Sequence, residues 1–112
     1  MRTPVLPLTR RFHRRPGEKL RYWELAVFEG LHAKQPERRL WANVIADALY
    51  IVYRMKDRFV VRPELEWLLS PARGTLMCFE DLAPVFDIDP ADVRRDVLSD
   101  IAGGKIKARL NP

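Results

Sequence analysis

One cysteine, two histidines and five glycines are all that the 112 residues contain of those types, and no apolar run approaches the roughly 18 residues a membrane-crossing helix needs. Each shortage excludes something. A lone Cys78 cannot form an internal disulfide, so the core must hold by packing alone. His13, His32 and Cys78 show no metal-ligand spacing. No glycine-rich loop of the phosphate-cradling kind occurs, and no Ser–His–Asp set can be assembled. The acid pairs Glu64/Glu66 and Glu80/Asp81 are surface pairs, because near neighbours on a helix point apart. The expectation is a protein that is not an enzyme and has no cofactor and no metal. The basic N-terminus is not followed by the apolar stretch of a signal peptide. With the single cysteine, that predicts a cytoplasmic protein without membrane contact.

What is abundant is charge, and it is unevenly placed. Residues 1–21 hold seven bases (Arg2, Arg10, Arg11, Arg14, Arg15, Lys19, Arg21) against Glu18 alone. Lys105, Lys107 and Arg109 make the other end basic. Between them lie ten bases and fourteen acids, so a mildly acidic body carries two basic ends and the net charge is +5. Such ends neutralise phosphates, or they serve solubility and docking onto the body.

The apolar fraction of 47% suffices for one core. Residues 1–16, with Pro4, Pro7 and Pro16, read as an extended basic arm. A helical domain is expected over 17–104, and residues 105–112 read as a basic tail with a short strand in it. Leu20, Trp23, Val27 and Leu31 form one face of a helix over 18–33. Residues 37–56 carry the strongest helical period and are apolar on more than one side. That helix is therefore either central or the face of a homodimer. "DRFVVR" reads as a connector, with Pro63 opening a short helix. A further helix is expected over 76–87, with Thr75 as its cap, and the last over 90–102, with Asp89 as N-cap and Gly103-Gly104 as the stop. Trp23, Trp41 and Trp67 read as core, as does Cys78.

Residues 79–101 have the pattern of a degenerate helix-turn-helix. Ala83 is the small residue at the crossing. Leu82, Phe86 and Ile88 supply apolar contacts around the turn, and Val93, Val97 and Leu98 face back from the second helix. Asp87 stands where Gly is usual, because φ is often positive there. The second helix offers Arg94 and Arg95 to a groove, but also Asp92, Asp96 and Asp100, which repel phosphates. Scaffold and DNA reader both remain open for it.

The matches Leu40, Trp41, Val44, Ile45, Ala48 and Leu49, then Trp67, Leu68 and Ser70, then Phe79, Asp89, Pro90, Val93 and Arg94 resemble a group of small phage and prophage helical proteins. The resemblance covers roughly residues 37–101 and departs at Asp87 and at the position of Cys78. It implies a phage-type origin and an all-helical fold, and it supplies no activity. The combined expectation is an all-α single domain of about five helices. Its function is that of a small nucleic-acid-binding or transcription-regulating protein of the host cytoplasm. Arg94 and Arg95 face the major groove, while Arg10, Arg11, Arg14, Arg15, Lys105, Lys107 and Arg109 hold phosphates. The competing expectation is a module that binds a host or phage protein without nucleic acid.

Overall fold

Among the described residues five helices form where the apolar period approaches that of an α-helix. They are α1 (Tyr22–Gly30), α2 (Pro36–Arg54), α3 (Arg58–Leu69), α4 (Phe79–Leu82, running into a 3₁₀ turn, Ala83–Phe86) and α5 (Pro90–Ala102). The computed structural model describes residues 20–72 and 77–110. The expected arm over 1–16, with its four arginines at 10, 11, 14 and 15, and the expected cap Thr75 lie outside the described residues.

Of the two places the sequence left open for α2, it takes the central one in the fold. It buries Ala42, Ile45, Ala46, Ala48, Leu49, Val52 and Tyr53, and α1 and α3 both pack on it. Its half-buried Trp41, Val44 and Ile51 lie against the same core. Gly30, the weak point of α1 by helix propensity, has a packing reason. A Cβ there would come within 2.7 Å of the Phe86 ring and 2.9 Å of the Ala42 side chain. The glycine lets α1, α2 and the 3₁₀ turn close on one another.

The connector expected at 57–62 is instead the first half of α3. Asp57 caps the helix, its carboxylate accepting the Phe59 N–H at 2.9 Å, and Pro63 sits inside the helix. An interior proline costs about 3 kcal/mol in an isolated helix. Here Val61, Leu65 and Leu68 keep an unbroken i, i+4, i+7 stripe across it, with Val61 and Leu68 fully buried. Packing overrides the local signal. The helix expected over 76–87 is only one α turn long before it tightens to 3₁₀, and Cys78 occupies its N-cap. Cys78 itself is buried, with its Sγ donating to Asp81 at 3.0 Å.

Two turns close by the same hydrogen bonds. After the 3₁₀ turn, Asp87 N–H donates to the Pro84 carbonyl and Ile88 N–H to the Ala83 carbonyl, with Asp87 left-handed at φ 58°. After α5, Gly104 N–H donates to Ile101 and Lys105 N–H to Asp100, with Gly104 left-handed at φ 74°. This is the helix-terminating motif that wants a residue at positive φ. The expected strand in the tail is absent: no strand occurs among the described residues. The tail alternates instead, with Ile106 and Ala108 buried and Lys105, Lys107 and Arg109 exposed.

Candidate functional site

The charged face of α5 is one part of the candidate site named by the sequence, and its side chains are engaged within the fold. Asp92, Asp96 and Asp100 recur every four residues, so they line one stripe of the helix. Each meets the start of α1. Tyr22 Oη donates to Asp92 at 2.6 Å, and the Trp23 indole N–H donates to Asp96 at 2.8 Å. The Arg21 guanidinium donates two parallel bonds, of 2.8 and 2.9 Å, to the two oxygens of Asp100. Tyr53 of α2 also donates to Asp100, which is fully buried. The hydrogen bonds to Asp100 hold the Arg21 guanidinium even further above its ordinary pKa, against the opposing effect of burial. Burial, then donation to Asp92, raises the Tyr22 hydroxyl. The acids that looked out of place on a groove-reading helix are the contacts that dock α1 on α5.

The two arginines divide. Arg94 turns inward, contrary to the expectation that it faces a groove. Its Nε donates to the Leu68 carbonyl at 3.2 Å, one of its terminal nitrogens to the Ser70 carbonyl at 2.9 Å, and the same nitrogen to Glu80. A cation on the last carbonyls of a helix is favourably placed against its dipole. Arg94 therefore joins the end of α3 to α4, and its side chain is only 18% exposed. Arg95 is 68% exposed but flanked by carboxylates, Asp92 at 3.1 Å and Asp96 at 3.5 Å.

The tail cations are differently placed. Lys105, Lys107 and Arg109 project from a segment pinned by Ile106, Ala108 and the half-buried Leu110. No ion pair engages any of the three among the described residues. Arg10, Arg11, Arg14 and Arg15 lie outside the described residues. Among the described residues no group of three or more His, Cys, Asp or Glu side chains could hold a metal, and no helix is long and apolar enough to cross a membrane.

A second group, not singled out from the sequence, is the corner between α2 and α3. Lys56, Arg58 and Arg62 are exposed there, close in sequence to Phe59, which is 75% exposed. The signal that could have found it is the interleaving of base and aromatic in "MKDRFVVR". Reading that stretch as a mere connector hid it.

No family model, curated protein or solved structure matches the chain.

Proposed function

We propose that the chain is a small nucleic-acid-binding protein of the phage regulatory kind, and that it holds phosphates through its basic tail rather than through α5. The observation that carries this reading is the anchored tail. Lys105, Lys107 and Arg109 stand exposed on a segment whose alternate residues are buried, so three cations are offered on a fixed ridge. Fixed cations lose less conformational entropy on meeting phosphates than cations on a free tail. The proposal includes the arm cations Arg10, Arg11, Arg14 and Arg15 as further phosphate contacts, because six of the chain's twenty bases lie within residues 1–19. Within the helix-turn-helix-like segment, Arg95 is the arginine with most of its surface in solvent, and Asp92 and Asp96 lower its attraction for phosphate.

The test is fluorescence anisotropy on random-sequence duplex DNA at low and at physiological salt. Binding that weakens steeply with salt is expected. Replacing Lys105, Lys107 and Arg109 together by Gln should lower the magnitude of the log–log salt slope by roughly 0.9 for each phosphate that is no longer neutralised. An unchanged slope would remove the tail from the mechanism, and no binding at low salt would remove nucleic acid altogether.

The rival reading, a module that binds a host or phage protein, draws support from the inward Arg94 and the acid-flanked Arg95, which leave α5 poorly suited to a groove. A stoichiometric partner that survives nuclease treatment in a pull-down would favour it.

A further inference from the structure

Phe59 is the most exposed of the large apolar side chains among the described residues, at 75%. It sits on the first turn of α3, and Met55 and Val60 beside it are exposed as well. Lys56, Arg58 and Arg62 surround it in the sequence, all exposed, and none is in an ion pair among the described residues. The Arg58 guanidinium lies over the Phe59 ring, 5.1 Å from its centroid. Asp57 is the one acid within residues 55–62, and its carboxylate caps the helix on Phe59 N–H.

Folding does not account for this arrangement. An aromatic ring left in water adds nothing to the core. Cations in the opening turns of a helix oppose its dipole, and in α3 the acids Glu64 and Glu66 stand further along, which is the reverse of the stabilising order. What the grouping does fit is a ligand with flat faces and negative charge.

We propose that this corner is a stacking site for an unpaired base of a nucleic acid. The base stacks on the face of the Phe59 ring that Arg58 leaves open, the Arg58 guanidinium backs the other face, and Lys56 and Arg62 take the flanking phosphates. The inference rests on the nucleic-acid reading above and deepens it, because it names single-stranded segments as the substrate class. A duplex presents phosphates and base edges along its length but hides its base faces, so an exposed ring gains little from it. Interfaces between proteins also favour Phe, Met and Arg, but three exposed cations with no ion pair among the described residues fit a polyanion better. A membrane surface is also poorer, because Glu66 is exposed further along the same helix, where it would meet the lipid headgroups.

The experiment measures anisotropy of a labelled oligothymidine and of a duplex of equal length with the intact chain and with Phe59→Ala, Phe59→Trp and the Lys56→Gln/Arg62→Gln pair. Phe59→Ala should weaken oligothymidine binding by about five- to a hundredfold, leave duplex affinity and its salt slope alone, and keep the melting temperature. Phe59→Trp should bind as well as the parent and show quenched tryptophan emission on binding. The paired substitution should lower the salt slope for the single strand. Unchanged oligothymidine affinity in Phe59→Ala would overturn the stacking site while leaving the tail-based reading standing. Failure of the intact chain to bind either oligonucleotide at low salt would overturn both. Sedimentation with anionic vesicles that is lost in Phe59→Ala, with oligonucleotide affinity unchanged, would make the corner a membrane contact and overturn the proposal.

Discussion

Asp87 shows what a single residue contributes and concedes. It performs at the end of the 3₁₀ turn what Gly104 performs at the end of α5, the left-handed residue that lets two successive N–H groups fold back. A Cβ in that conformation costs roughly 1–2 kcal/mol, and Asp tolerates it better than most. The side chain is exposed and takes part in no hydrogen bond or ion pair among the described residues. Asp87→Gly should therefore stabilise the protein by about 0.5–1 kcal/mol, read as a rise in melting temperature. Met77, the other non-glycine residue at positive φ, does not invite the same change, because its side chain packs on the core. The positive φ at Asp87 was legible from its place at the turn between two helices, where Gly is usual. Gly30 was legible only as a weak helix former, since the close approach of Phe86 and Ala42 comes from residues 12 to 56 positions away.

At the scale of an element, α5 ties the others together. Its buried Val93 and Val97 lie in the core, its acids dock α1, and Arg94 caps α3. The boundaries of α5 were legible because Asp89, Pro90 and the Gly103-Gly104 pair are local signals. The direction of Arg94 was not, since it depends on carbonyls 24 and 26 residues away. Arg94→Ala should cost about 2 kcal/mol of stability, because it leaves the Ser70 carbonyl and Glu80 without their cation. It should leave the salt slope for DNA unchanged. A changed sequence preference without destabilisation, measured by site selection beside thermal melting, would return Arg94 to a groove. For α3 the local signal misled: Pro63 marks a helix start in isolation, yet it is interior, because Val61 must share the stripe of Leu65 and Leu68.

For the whole molecule, the junction of Arg21, Tyr53 and Asp100 matters most. It joins the start of α1, the end of α2 and the last turns of α5, spanning 79 residues between Arg21 and Asp100. A buried ion pair adds little compared with an apolar replacement, but removing one partner leaves the other uncompensated. Asp100→Asn should lower stability by about 3 kcal/mol, somewhat softened by the quarter exposure of the Arg21 side chain. Urea denaturation should report it as a lower midpoint at similar slope. A loss within about 0.5 kcal/mol would mean that this junction is not what holds α1 to α5.

The sequence by itself determined the helical class, the ends of α5 and the basic character of the tail, because period, capping residues and alternation act over a few neighbours. Only the tertiary structure decided which charges are free. Asp92, Asp96, Asp100 and Arg94 have partners on other helices, while Lys105, Lys107, Arg109, Lys56, Arg58 and Arg62 face solvent. A charge finds its partner through space, over separations that no local pattern encodes.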